Sequence, residues 1–194
     1  MKRLFDIIAS AIGIAVLSPL LIIVAIIVKR DGGPALYRGK RVGINGTLFD
    51  MLKFRTMVIN AEKLGPSSTA GDDPRITKIG AMLRKYKLDE LPQLINVFKG
   101  EMSIVGPRPQ VKWEVDNYTE EEREVLKVRP GITDPASLKF RNEGEILRGS
   151  KDPDADYRRL IHPEKMRLSI DYVRNRSFLS DMKIVLQTIG AIFK

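Results

Sequence analysis

From Ile7 to Val28 the chain reads IIASAIGIAVLSPLLIIVAIIV, an apolar run without a charged residue. As a helix rising ~1.5 Å per residue it would be ~33 Å long, enough to cross a bilayer core of ~30 Å. It is too long for a signal-peptide core and no convincing small-residue cleavage site follows it, so it is read as a retained membrane anchor. Pro19, near its middle, cannot donate to the Ala15 carbonyl, which predicts a kink or a break. Two forms follow: a kinked spanning helix, or a re-entrant helix-break-helix that enters and leaves one face, with the Ser18 hydroxyl satisfying freed carbonyls. Lys2 and Arg3 precede the run and Lys29 and Arg30 follow it. Positive charge at both ends favours the re-entrant form, because a spanning helix would place one basic end outside.

Beyond Gly32-Gly33-Pro34 the pattern changes period. Ala35 to Met57 reads as a hairpin, with Asn45-Gly46 a two-residue turn signal. Leu48, Asp50, Leu52 and Phe54 fall on one side of the second strand, and Phe49, Met51, Lys53 and Arg55 on the other. A polar loop rich in glycine and proline runs from Gly65 to Pro74. Ile79, Met82, Leu83 and Tyr86 then recur at helical spacing, predicting an amphipathic helix over Thr77 to Lys87. A second helix is expected from about Leu91 to Lys99, stopped by Gly100, with Pro92 in its first turn. Thr119 and Glu122 form a capping box for a helix reaching about Val128, and Pro130-Gly131 ends it. Further helices are expected over Pro163 to Asn175 and Ser180 to Phe193. The last carries an apolar stripe of Met182, Val185, Leu186, Ile189, Ile192 and Phe193 that suits either a core or a membrane interface. The fold class is therefore α+β and mainly helical, with a membrane helix over 1–31 and a second domain over 32–194 whose amphipathic helices suit the membrane interface.

Charge narrows the partners. Lys and Arg number 33 against 24 Asp and Glu, a formal net charge of +9, so an anionic partner is expected: nucleic acid, phospholipid head groups or phosphorylated small molecules. Cysteine is absent and His162 is the single histidine. Disulfides, thiol chemistry and Cys-based zinc sites are excluded, and acids, bases and nucleophiles must come mainly from Asp, Glu, Ser, Thr, Lys or Tyr.

The stretch KLDELPQL (Lys87 to Leu94) sets Asp89 and Glu90 side by side at the start of a helix. Neighbouring helical residues point ~100° apart, so the two cannot flank a glycosidic bond as an acid and base pair. A helix N-terminus keeps a carboxylate ionised and welcomes phosphate. An ionised aspartate beside phosphate can attack phosphorus or hold a divalent cation; it can also be a plain helix cap. Arg84, Lys85 and Lys87 just before the pair, Arg108 between Pro107 and Pro109, and Lys53 and Arg55 in KFRTM supply cations suited to phosphate oxygens. Any one of these could equally be a solvated surface charge.

The segments KFRTM (Lys53 to Met57), DPRITKIGAMLRKYKLDELPQLINVFKGEMSIVGPRP (Asp73 to Pro109) and VRPGIT (Val128 to Thr133) closely resemble the bacterial sugar transferase family, the monotopic phosphoglycosyl transferases. The likeness covers nearly the whole chain and includes the mid-helix Ser18-Pro19, which the resemblance identifies as the break of a re-entrant membrane helix. Larger members carry additional transmembrane helices, so the chain resembles a catalytic-domain-only member. The resemblance implies transfer of a phosphosugar from a UDP-sugar to a polyprenyl phosphate such as undecaprenyl phosphate, with Mg²⁺ required, at the cytoplasmic face of the bacterial inner membrane. It makes Asp89 the nucleophile and a metal contact, Glu90 its partner in positioning or proton handling, and Arg108 and Arg84 phosphate binders; Lys53 and Arg55 of KFRTM and the aligned Arg141 are further candidate substrate-binding residues. A phospholipid bilayer is then a partner, a homodimer is allowed, and nucleic acid is not expected.

The text PGITDPASLKFRNEG departs from the family's usual pattern. Asp134 stands where glycine is common, so a backbone position that could need unusual dihedrals is filled differently. Arg141-Asn142 is aligned with the family's Arg-Asn, and Asp171 falls where the family carries an acid, with N-capping and ion pairing as alternatives. The rival reading is a basic, membrane-tethered module for nucleic acid or anionic lipid in which Asp89 is only a cap. Aromatics make up 7% of the chain and sit mostly on apolar faces, whereas a reader of single strands interleaves them with its cations.

Overall fold

A computed structural model describes residues 1–30 and 32–192 of the chain. The long apolar run forms α1 (Lys2–Lys29). The break expected at Ser18-Pro19 needs correcting, because the helix continues through Pro19. Its physical reason is local. Ser18 Oγ donates to the Ala15 carbonyl at 2.8 Å, filling the acceptor that Pro19 leaves free.

Contacts with the rest of the chain occur at both ends of α1 and in between. Arg3 donates to the Val97 and Phe98 carbonyls at 2.6 and 2.9 Å. Asp6, 2% exposed, accepts from Ser103 Oγ and from the Ile104 N–H at 3.0 Å. Val24 and Val28, near the other end, pack with Phe54 and Leu83. The opposite face is apolar and open, including Leu4, Ile8, Ile12, Val16, Ile22, Ile23 and Ile26.

The expected hairpin is β1 (Leu36–Val42) paired antiparallel with β2 (Leu48–Phe54). Asn45 and Gly46 both take positive φ, as that dipeptide implies. The connection is longer than two residues, however: Val42 pairs with Leu48, and a 3₁₀ turn over Ile44–Gly46 lies between. Phe49 and Met51 pack against Val97 and Met102, while Phe54 joins the cluster against α1.

Next come α2 (Lys78–Lys85), N-capped by the Thr77 hydroxyl, and α3 (Gln93–Lys99), closed by Gly100 at φ 90. A parallel pair, β3 (Ser103–Val105) and β4 (Gly131–Thr133), was not anticipated; strands of three residues carry no readable period. Four short helices follow in chain order: α4 (Lys112–Val115), α5 (Pro135–Lys139), α6 (Glu143–Ile146) and α7 (Pro153–Leu160). The capping box forms, with Thr119 N–H donating to Glu122 and Glu122 N–H to Thr119 Oγ1, but the segment it opens is 3₁₀ over Glu122–Lys127 rather than α-helix. Finally α8 (His162–Asn175) and α9 (Phe178–Ile192) pack Tyr172, Val173 and Ile184 around Val105. Leu179, Leu186 and Ile189 on α9 stay exposed, and Phe193 of the expected stripe lies outside the described residues. The α+β, mainly helical class holds.

Candidate active site

The acidic pair does not sit inside α3. It occupies a 3₁₀ turn over Leu88–Glu90, entered through Lys87 at φ 56 and followed by helical backbone at Leu91 and Pro92. Tight 3₁₀ winding splays the two side chains to different surroundings.

Glu90 is clamped. Its Oε1 accepts from Lys53 Nζ at 2.8 Å and from Arg108 Nη2 at 2.5 Å, and its Oε2 from Arg108 Nη1 at 3.2 Å. Burial alone would raise its pKa, but the charges and hydrogen bonds of Arg108 and Lys53 outweigh that and hold the carboxyl well below the ordinary range. Arg108 and Lys53 thus favour the ionised form of Glu90, and its carboxylate organises the two cations.

Asp89 is the opposite case. It is 6% exposed, and among the described residues its Oδ1 has no hydrogen-bond partner. Burial pushes its pKa up, Lys53 pulls it down, Glu90 pushes it up and Arg84 pulls it down. A buried, unsatisfied carboxylate oxygen is costly unless a ligand completes it. Arg84 Nε donates to Thr56 Oγ1 at 3.0 Å, and the start of α2 is docked on the same residue by Thr77 N–H to Thr56 O, also 3.0 Å. Thr56 thus seats Arg84 beside the turn, a role its place in KFRTM did not reveal.

The remaining expected residues divide. Lys53 and Arg108 join the dyad directly and Arg84 neighbours Asp89 electrostatically. Arg55 is buried and donates to the backbone carbonyls of Val28, Pro34 and Met57, so it ties the end of α1 to the hairpin. Arg141 is exposed and donates to the Ala191 carbonyl in α9. Neither is brought to the dyad. Asp134 has ordinary extended dihedrals, φ -160 and ψ 174, and N-caps α5 by accepting from Ser137 N–H at 2.7 Å. Asp171 is exposed and pairs with Arg167 at 3.0 Å, one helical turn away.

For a divalent cation the donor set is sparse: among the described residues, no group of three or more His, Cys, Asp or Glu could hold one. Glu90 is already occupied, which leaves the unpartnered oxygen of Asp89. That fits Mg²⁺, which characteristically takes one or two carboxylates and fills its octahedron with substrate phosphates and water.

A family model described as bacterial sugar transferase matches residues 1–194. The chain is 38% identical to an uncharacterized sugar transferase of Haemophilus influenzae, over 99% of this chain and 41% of that one. It is 36% identical to the undecaprenyl-phosphate galactose phosphotransferase of Salmonella typhimurium, over 100% of this chain and 40% of that one. Against the UDP-glucose:undecaprenyl-phosphate glucose-1-phosphate transferase of Caulobacter vibrioides the identity is 35%, over 98% and 69%. The chain thus spans about two fifths of the first two relatives. With the family model matched from end to end, the chain belongs to the bacterial sugar transferases.

Proposed function

We propose that the chain transfers a phosphosugar from a UDP-sugar to undecaprenyl phosphate, giving the polyprenyl-diphosphate sugar and UMP, and so begins assembly of a polysaccharide or related glycoconjugate. The observation that carries this reading is the buried, unpartnered Oδ1 of Asp89 beside Lys53 and Arg84. The printed names of the Salmonella and Caulobacter relatives supply the donor and acceptor classes.

In this reading Asp89 Oδ1 attacks the sugar-bearing phosphorus. The bond from that phosphorus to the bridging oxygen breaks, and its electron pair leaves with UMP. The resulting aspartyl phosphosugar is then attacked by a phosphate oxygen of the polyprenyl phosphate, and the Asp89 carboxylate is released as it began. Desolvation raises its pKa and makes the carboxylate reactive, while Lys53 and Arg84 favour its ionised form. Glu90 holds Lys53 and Arg108 where the diphosphate charge would lie, and the Arg108 fork suits phosphate oxygens. Asp89 and the substrate phosphates would hold Mg²⁺, which when bound screens the diphosphate charge.

The same reading makes 1–31 the membrane element and 32–194 the catalytic domain. An α-helix of 28 residues is ~42 Å long, yet both ends of α1 are tied to one domain, which argues for insertion from a single face. Basic residues at both ends support the cytoplasmic side as that face.

The decisive test is Asp89→Asn in lipid nanodiscs. Loss of lipid-linked sugar diphosphate, together with loss of the phosphosugar adduct seen by intact mass with wild-type protein, is expected. Full turnover by the variant would refute the mechanism.

A further inference from the structure

Tyr37, Gly39 and Arg41 alternate onto one face of β1, and the register Tyr37↔Lys53 puts Lys53 on that same face of the hairpin. At the end of β1 the Val42 N–H donates to the Gln110 carbonyl at 2.9 Å, docking the strand on the Pro107 to Gln110 loop that carries Arg108. That docking sets the strand of Arg41 against the loop of Arg108, whose charge disfavours the Arg41 cation.

The charges there are unbalanced. Lys53 and Arg108 share the carboxylate of Glu90. Arg41, half-buried, donates to its neighbour's carbonyl, Lys40 O, at 2.9 Å and engages the Tyr37 hydroxyl. It forms no ion pair with a carboxylate among the described residues. Burial lowers its pKa, and the charge of Arg108 acts in the same direction. Tyr37 and, more weakly, Glu114 favour the charged form, but neither is in an ion pair with Arg41, so a half-buried cation near a second cation with donors left over gains from an arriving anion.

Gly39 permits this arrangement. A Cβ built there would lie 2.8 Å from Tyr37 Cε1 and 3.1 Å from Arg41 Nη1. With hydrogen at that position the phenol and the guanidinium close over the strand and brace each other.

We propose that Arg41, braced by Tyr37 across Gly39, is a phosphate-binding residue of the active site that works beside the Arg108 loop. This rests on the phosphosugar-transfer reading for the identity of the substrate, and two phosphates share the required chemistry: that of the departing nucleotide and that of the polyprenyl acceptor.

The test uses the full chain in nanodiscs, with Arg41→Gln, Arg41→Lys and Gly39→Ala. UMP affinity is measured by calorimetry, and KM for UDP-sugar and for undecaprenyl phosphate is measured separately. Loss of one guanidinium–phosphate contact predicts about a 10- to 100-fold weakening in Arg41→Gln. Partial recovery is expected in Arg41→Lys, which keeps charge but loses the fork. Gly39→Ala should weaken the same constant by prising the guanidinium away, which keeps the proposal testable if Arg41→Gln folds poorly. A change in UMP affinity and donor KM assigns the phosphate to the nucleotide, and a change confined to acceptor KM assigns it to the lipid. Unchanged constants in both Arg41→Gln and Gly39→Ala, with unchanged melting temperature, would overturn the proposal. Wild-type protein that binds UMP but transfers no sugar phosphate would instead refute the function and leave the Arg41 site standing.

Discussion

Gly80 offers a sharp quantitative test of how α2 is seated. In an exposed helix interior, glycine to alanine gains about 0.5–1 kcal/mol, because glycine loses more backbone freedom on folding. At Gly80 a Cβ would fall 1.9 Å from the Thr56 carbonyl oxygen, 2.6 Å from its carbonyl carbon and 2.8 Å from its Cα. These are backbone atoms held by β2 and by the Thr77 N–H bond, so relief requires α2 to move by an ångström or more. Such overpacking costs about 1–3 kcal/mol. The displacement also stretches the hydrogen bond from Arg84 to Thr56, worth about 1 kcal/mol. Set against the helix gain, Gly80→Ala should lose about 2 kcal/mol net, or about 4–8 °C in melting temperature for a chain of this size. Gly190, in α9, has nothing within 4 Å of its Cβ position, so Gly190→Ala should hold or slightly raise the melting temperature. Both variants would be melted in nanodiscs, with UMP release measured alongside. A Gly80→Ala protein as stable and active as wild type would refute the close approach of α2 to Thr56 and the seating of Arg84 that depends on it.

Two further outcomes follow from buried charges. Asp6→Ala strands the Ser103 hydroxyl and the Ile104 N–H, and should lower stability by about 2–4 kcal/mol, read as melting temperature in nanodiscs; an unchanged value would mean that Asp6 does not latch α1 to β3. The acid limb of the pH–rate profile should sit above the ordinary carboxylate range, because burial raises the pKa of Asp89 and only its ionised form attacks. Lys53 lowers that pKa, so Lys53→Met should move the limb to higher pH, and a limb that stays put or moves lower would exclude Asp89 as the titrating nucleophile.

The parts of the fold legible in the sequence were those with a long period or a strong local code. The apolar run, the alternation from Leu48 to Phe54, the helical spacing after Thr77 and the Gly100 stop all rest on local chemistry, and each appears where expected. Strands β3 and β4 escaped because three residues cannot display alternation, and their pairing joins segments distant in the chain. At the site, Lys53, Asp89, Glu90 and Arg108 were found through motifs, but motifs do not say which way a side chain turns. Arg55 shares KFRTM with Lys53 and the same strand parity, yet once β2 ends it turns toward α1 and spends its donors on carbonyls. Arg41 lay in no segment singled out for charge; only its placement opposite Phe49, on the face of Lys53, and the docking of the next residue, Val42, against the Arg108 loop show where it sits.

The topology of α1 can be decided by the same bonds that hold it. Its first turn is tied through Lys2 to Asp181 and through Arg3 to α3, and its last turn through the Val28 carbonyl to Arg55. Breaking either set to thread one end across a bilayer would strand buried polar groups at several kcal/mol in total, with no compensating contact on the far side. The open face of α1, apolar from Leu4 to Ile26, needs lipid along its length rather than at a single depth. The chain contains no native cysteine to confuse labelling. A cysteine placed just before Lys2 and, separately, Arg30→Cys should therefore react with a membrane-impermeant maleimide from the same side: in inverted vesicles and not in spheroplasts. Labelling from opposite sides would mean that α1 spans, and that the bonds from Lys2, Arg3 and Arg55 do not coexist in the membrane-bound protein.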